Sequence, residues 1–381
     1  MKEFAYIGKW GFQPAEDGYG IEAYEVTDGV FHRIGRYYPQ IHVGYAVIEP
    51  EKKILYCVDE NKNQPEFVRG GGGKVYALKI QEDGSLTEIN HKFSFGNLAS
   101  YCALSTKKDY LIVTNHGGGD PVLQITKDEA GKYQIEMSES VSSTVLYPLV
   151  EDGSIQSPSY IYDHNLHRRD GETRVPHLHS VVKAPGKDLF AVCNKGNDRV
   201  YLFGIQEDKL VVKAIHEGEQ NSAPRYGCFH PYLPYYYYNE ELKPYINVLK
   251  YDDESLTSVQ RVPSMTPEEM EKNGASASDL SITSDGKHLY HVQRFSNLVS
   301  VFDVDDQGML SLKQEMHFEG TDNRGAGARC LRISPDEKHL YVCVVADGKV
   351  WKYPILEDGT LAQSTDTIET AYAANINFFG E

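Results

Sequence analysis

The sequence repeats itself, and the repeat restricts the fold more tightly than any other feature. ASDLSITSDGKHLYHVQRFSNLVSVFDVDDQGML (277–310) aligns with ARCLRISPDEKHLYVCVVADGKVWKYPILEDGTL (328–361). Each unit reads as an apolar strand, a polar turn, a second strand with LYV-like residues, a loop, and an alternating strand closed by a DG turn. Related units start near residues 43, 99, 178 and 225, which makes six copies. Most are spaced by about 50 residues, the range of propeller blades.

A seventh, truncated unit opens the chain. FAYIGKW matches the LYV strand, and GIEAYEVTDGVFHRI matches the strand and turn that follow. Its missing first strand must come from elsewhere, and AYAANINFFG near the other end is an apolar segment with no partner of its own. Joining the two closes a ring and removes a vulnerable sheet edge. An open β-sandwich array would leave both ends unpaired. The expected fold is all-β: a seven-bladed β-propeller, one domain over residues 1–381, closed by pairing of N- and C-terminal segments in one blade. WD and kelch repeats fit poorly, because the chain has two tryptophans and neither belongs to a repeated WD pair. The spacing from 99 to 178 is longer than the rest, and the excess is assigned to a polar rim insertion around 156–176. MTPEEMEKNGAS (265–276) is the one convincing helix candidate, with Pro267 at the first helical position and acidic residues in the first turn.

Fifty-five acidic residues against 38 basic give a formal net charge of −17. That field repels polyanions, so neither nucleic acid nor a membrane surface is an expected partner. A small anionic substrate stays open if a few arginines converge. MKEFAYIGKW lacks the apolar stretch of a signal peptide, and no run approaches membrane-spanning length. The six cysteines (57, 102, 193, 228, 330, 343) sit in apolar strand-like runs without CxxC spacing. They read as reduced, buried thiols of a cytoplasmic protein. Nothing in the sequence sets the oligomeric state.

In a propeller the innermost strand of each blade lines the central channel. The first strand of the unit should take that place, and its opening residues read His177 and His179, Arg225 and Arg329. The second strands return to the same rim and end at Glu60, His116, Glu241 and Arg294. In RVPHLHSVV (174–182) the two histidines are two residues apart and would project side by side from an extended chain. Spacing alone fits a catalytic pair, metal ligands, or polar residues at a strand mouth. The repeat register favours a ring of charged groups drawn from different blades. No carboxylate or cysteine stands at suitable local spacing for zinc, so no metal is expected. Arg174 is either a substrate contact or a solvated ion pair, and Arg199 of NDRV reads as pairing with a neighbouring acid.

The motifs PHLHSV (176–181), GNDRV (196–200) and APRYGCFHP (223–231), with Glu241 of EELKPYINV and the QR of LYHVQR (289–294), resemble those of the seven-bladed propeller lactonase family. That family includes the bacterial propeller type of 6-phosphogluconolactonase and the fungal-type 3-carboxy-cis,cis-muconate cyclase. The resemblance runs blade by blade along nearly the whole chain. It implies that the catalytic histidine of the cyclase branch falls on His179, its two substrate-binding arginines on Arg225 and Arg294, and its site glutamate on Glu241. The lactonase branch adds His177. Tyr226 stands where many lactonases have histidine, and Gln293 replaces the asparagine before the last arginine. Both departures leave the charged set intact and put the particular substrate in question.

Lactone opening and ring closure by a carboxylate need similar equipment. Histidine moves a proton near neutral pH with the smallest pKa adjustment. Arginine offers a fixed fork to a developing oxyanion. On the hydrolase reading His179 is the base, Arg225 and Arg294 clamp the anion and stabilise the oxyanion, Glu241 orients the histidine or a water, and His177 is a second donor or a proton relay. Arg329, Arg174, Glu60 and His116 complete the substrate contacts. No cofactor is required. The leading expectation is a hydrolase of a 6-phosphogluconolactone-like sugar-acid lactone. A carboxymuconate-type cyclase would use the same histidine to deliver a proton to carbon, and a non-catalytic propeller would only bind a sugar acid or a protein. RGGGGKV (69–75) lacks P-loop spacing, and HGGGD (116–120) has no GxSxG elbow to accompany it. The 27 tyrosines, with YYYY at 235–238, fit strands packed between blades.

Overall fold

The computed structural model describes all residues except 1–2, 12–14, 65, 68–69, 119–121, 168–171, 173, 319–326, 364–365 and 381. Its strands form seven four-stranded sheets and one separate two-stranded hairpin. The innermost strands of blades 2 to 7 are Ala46–Glu49, Ala99–Leu104, Leu178–Lys183, Pro224–Phe229, Ala277–Ile282 and Ala328–Ile333. Each touches the next, and Ala373–Gly380 lies between the last and the first, so the ring is complete.

Blade 1 is the closing blade. Outward from the channel it runs Ala373–Gly380, Glu3–Lys9, Ile21–Thr27, Val30–Tyr37. The join is antiparallel from Glu3↔Gly380 to Lys9↔Ala373. Phe4 stacks on Phe379 across it at 6.5 Å. At the outer end of the join Glu22 accepts hydrogen bonds from Lys9, Tyr24, Arg36 and, from the far end of the sequence, Thr370.

Period-two alternation supplies the core. Ile54, Tyr56 and Val58 pack towards blade 3, while Leu55 and Cys57 of the same strand pack towards blade 1. YYYY behaves in the same way: Tyr236 and Tyr238 enter the interface with blade 4, and Tyr237 enters the one with blade 6. Each large side chain buried in this manner contributes roughly 1.5–3 kcal/mol.

The recurrence of LYV and DG also has a physical cause. Tyr6, Tyr56, Tyr237 and Tyr290 each donate a hydroxyl to the turn glycine carbonyl of the following blade: Gly84 (3.1 Å), Gly153 (2.8 Å), Gly308 (2.9 Å) and Gly359 (2.8 Å). All four glycines have positive φ. The residue two before each tyrosine, on the same strand face, closes over the place where a Cβ would stand.

The long third unit differs from expectation. Tyr160–Asp163, inside the stretch assigned to an insertion, is the outer strand of blade 3 and pairs with Ser143–Pro148. The extra chain is instead the hairpin Val122–Lys127 and Tyr133–Ser138, inserted between the second and third strands of that blade. A hairpin carries the same period of two as the blade strands around it, so periodicity could not separate them. Residues 168–171 and 173 of the expected insertion lie outside the described residues. The helix forms at Pro267–Asn273, with Glu268 and Glu269 in its first turn and Gly274 ending it at φ 70°. All six cysteines are free thiols, and five are buried. Among the described residues no helix is long and apolar enough to cross a membrane.

Candidate active site

Two positions per blade aim side chains at one end of the channel. The first lies at the mouth of the innermost strand, where the pairing register slips: between Leu178 and Val181, Pro224 and Gly227, Ala328 and Cys330. His179, Arg225 and Arg329 lie inside these slips. A bulge re-aims the side chain it carries, which takes these three off the regular alternation. The second position directly follows the second strand. It is occupied by Trp10, Glu60, His116, Lys195, Glu241 and Arg294 in blades 1 to 6. Polar side chains near the ends of the second strands pin the mouths. Asp59 accepts the His42 N–H, Asn194 that of His177, Asn239 that of Tyr226, and Gln293 that of Ser276, each at 2.9 Å.

These side chains surround a cavity of about 470 Å³. Its cationic lining residues are Lys62, Lys195, Arg225, Arg294 and Arg329, against the carboxylates of Glu60 and Glu241. Glu241 is the hub. It meets Arg294 at 2.6 Å, Lys195 at 2.7 Å, and Arg225 Nε at 3.4 Å, the last an ion pair without an aligned hydrogen bond. Burial raises the Glu241 pKa, but Arg225, Lys195 and Arg294 outweigh it and hold the carboxyl well below its ordinary range. The preceding Glu240 points the other way and pairs with Arg261 at 2.8 Å. Arg294 is pushed down to about 10, by burial first and then by Arg225. Across the cavity Arg329 lies over the Trp10 ring at 3.7 Å and meets Glu60 at 3.4 Å. Burial raises the Glu60 carboxyl.

His179 is 6% exposed. Its ring lies 4.7 Å from Tyr226 and 6.1 Å from His116, and its Nδ1 is buried without a hydrogen-bond partner. Nε2 is therefore the nitrogen left to meet a ligand. Burial, then Arg225 and Lys195, hold this imidazole well below the usual histidine pKa, so it is neutral near pH 7. His116 is lowered to about 3 by burial and Lys195. Behind His179, Tyr226, Tyr101 and Tyr45 run across the channel, with Tyr45 stacked on Tyr101 at 3.6 Å. Asp279, at the blade 6 position that Tyr226 holds in blade 5, accepts the N–H groups of Leu280 and Leu331, its carboxyl raised to about 6 by burial. The rings separate the site from the other end of the channel.

The chain matches the profile of the family described as lactonase, 7-bladed β-propeller, over residues 5–378. The chain belongs to that lactonase family. Its curated relatives include a 6-phosphogluconolactonase of Bacillus subtilis, 23% identical over 72% of this chain and 71% of that protein. Another is a 6-phosphogluconolactonase of Xenorhabdus nematophila, 27% identical over 75% of this chain and 80% of that protein. Among solved structures, a periplasmic gluconolactonase of Pseudomonas aeruginosa superposes with a TM-score of 0.81 at 18% identity, covering 100% of this chain and 99% of the other. A likeness at that identity is one of fold, and the fold occurs in a periplasmic protein, so it does not fix a compartment.

Within this lactonase ring the cavity gathers His179, Glu241, Arg294, Arg225, Arg329, Glu60 and His116. It does not gather His177 or Arg174. His177 precedes the strand and is not extended beside His179; its ring stacks behind His116 at 4.9 Å. Arg174 pairs with Asp198, which also accepts the N–H groups of Asn221 and Ala223 and so braces the turn leading to Arg225. Glu241 bonds to the cations rather than orienting His179. Arg199 pairs with Glu172 and Glu217. Lys195, Trp10 and His42 line the cavity and were not singled out from the sequence, although Lys195 and Trp10 hold the same repeat position as Glu241. Gly117 and Gly118 of HGGGD have positive φ and turn the chain against Ser142 and the His177 ring; Asp120 lies outside the described residues. RGGGGKV connects the second and third strands of blade 2, with Arg69 outside the described residues. Among the described residues no group of three or more His, Cys, Asp or Glu is placed to hold a metal ion.

Proposed function

We propose that this lactonase-family chain hydrolyses a small anionic sugar-acid lactone at the cavity, with His179 as general base. The observation that carries the reading is the buried His179 ring facing a cavity lined by Lys62, Lys195, Arg225, Arg294 and Arg329, where burial and the neighbouring cations lower the imidazole pKa. A neutral base and a preorganised set of cations are what attack of water on an ester carbonyl requires. His179 Nε2 takes a proton from water as its oxygen bonds to the lactone carbonyl carbon, and the carbonyl π pair moves onto oxygen. Arg225 and Arg294 stabilise that oxyanion. When it collapses, the ring C–O bond breaks, and the departing oxygen takes the proton back from His179. The product is the open hydroxy acid.

The cationic excess favours a substrate with an anionic group, and the relatives named 6-phosphogluconolactonase make 6-phosphogluconolactone the first compound to test. A carboxymuconate-type cyclase is less well supported, because a histidine that protonates carbon must begin charged, and burial and the flanking cations oppose charge on His179. The test is a panel of aldonolactones, phosphorylated and not, followed by proton release at neutral pH. Turnover above spontaneous opening, lost in His179→Ala with the fold intact, supports the lactonase. Consumption of a cis,cis-muconate alone would establish the cyclase. Thermal stabilisation by a sugar acid without turnover of either would leave a binding module.

A further inference from the structure

The two arginines that the proposed reaction needs are both engaged with Glu241. An incoming anion competes with Glu241 for them, and a buried carboxylate whose cations are shared with a second anion is held less firmly. The third partner of Glu241 is Lys195. Its ammonium sits 2.7 Å from Oε2, whereas Arg294 uses Oε1, so the lysine bond does not depend on the arginine bond. Lys195 comes from blade 4, Glu241 from blade 5 and Arg294 from blade 6, each at the residue that follows its second strand. The three side chains therefore form a row along the cavity wall with the carboxylate in the middle.

We propose that Lys195 is a positioning residue that holds Glu241 while Arg225 and Arg294 exchange this carboxylate for the anion of the substrate. The inference rests on the lactonase reading for the identity of that anion, but the exchange is a property of the side chains themselves. Arg225 keeps a hydrogen bond to the Ser278 carbonyl at 2.8 Å and Arg294 keeps one to Ser276 Oγ at 3.1 Å, so neither loses all its anchors on turning. The other charged or titratable groups of the cavity are His42, Glu60, Lys62, His116, His179 and Arg329, with Tyr226 beneath the row. None of them has a hydrogen bond or ion pair of its own to Glu241. Glu60 is already engaged by Arg329.

Inorganic phosphate binding, measured by calorimetry, tests the exchange without reference to turnover. Lys195→Met should weaken phosphate about tenfold, because Glu241 then competes harder for both arginines. Lys195→Arg should stay within about twofold of the parent. In a Glu241→Gln background the same Lys195→Met change should have little effect, since the competing charge is gone; a structural role for Lys195 would not depend on Glu241 in this way. Circular dichroism and melting curves confirm that each variant is folded, and Lys195→Gln serves in place of the methionine variant if that one does not fold. On any lactone that is turned over, the loss should appear in kcat/KM. Equal phosphate affinity in parent and Lys195→Met, an equal loss with and without Glu241, or no phosphate binding by the parent overturns the inference. Loss of phosphate affinity in a protein that opens no lactone would overturn the lactonase reading and leave the exchange standing.

Discussion

Tyr290 reaches out of blade 6 and donates its hydroxyl to the carbonyl of Gly359 in blade 7 at 2.8 Å, while His288, two residues earlier, closes against the same glycine. The bond ties a strand centre to the neighbouring blade's turn. Tyr290→Phe keeps the ring in the interface and deletes one buried donor, leaving a carbonyl unpaired. A loss of about 1–2 kcal/mol in unfolding free energy is expected, read from urea denaturation, with lactone turnover unchanged. Gly359→Ala should cost more, because φ is 82° there and a Cβ would stand 2.4 Å from the His288 ring.

Glu22 is the charged knot of the closing blade. Burial raises its carboxyl, but hydrogen bonds from Lys9, Thr370, Arg36 and Tyr24 overcome this and lower it to about 2. A depressed carboxylate stabilises the fold above its unfolded pKa and loses that contribution as pH falls through the folded value. Glu22→Gln leaves Lys9 buried without its anion and should cost about 3 kcal/mol at pH 7. The difference from the parent should shrink between about pH 4.5 and 2. Denaturation at pH 7, 5 and 3 reads it.

His179 acts as a base only when unprotonated, and its pKa lies well below the ordinary imidazole value, through burial first and the cations second. Turnover should therefore persist as pH is lowered through the usual histidine range and fail only in more acidic solution. A rate profile from pH 8 to 4 checks this. A mid-point near 6.5 would mean that the imidazole is hydrated and ordinary. His179→Gln should lower kcat by about 10²–10⁴-fold.

Gly118 has φ of 78°, and a Cβ added there would stand 3.0 Å from the His177 ring. Gly118→Ala is expected to destabilise by about 1–2 kcal/mol through backbone strain. It should also shift the His177–His116 stack that backs the cavity wall. Melting temperature and the imidazole NMR signals of His116 and His179 report the two effects separately.

Most of the ring was legible in the sequence because the strand pattern recurs from blade to blade and the tyrosine–glycine bond recurs at four interfaces. His179, Arg225, Glu241 and Arg294 were legible for the same reason: each falls at one of two recurring positions. Lys195 and Trp10 hold one of those positions too, but NKG and KWG read locally as turns, and only the register identifies them. The pairing of His177 with His179 failed on geometry. The strand begins at Leu178 and bulges at once, so two-residue alternation does not apply there. The engagement of Glu241 with three cations has no signature along the chain, since its partners come from blades 4, 5 and 6.

Because Ala373–Gly380 supplies the channel-facing strand of blade 1, that blade stays incomplete until those residues, more than 360 positions after its second strand, have been synthesised. At about 5–20 residues per second, Glu3–Lys9 waits roughly 20–70 s with an open edge. The waiting edge offers the same backbone hydrogen bonds to residues 373–380 of another copy, in competition with its own. Strand-exchanged dimers, if they form, should rise with the local concentration of nascent copies.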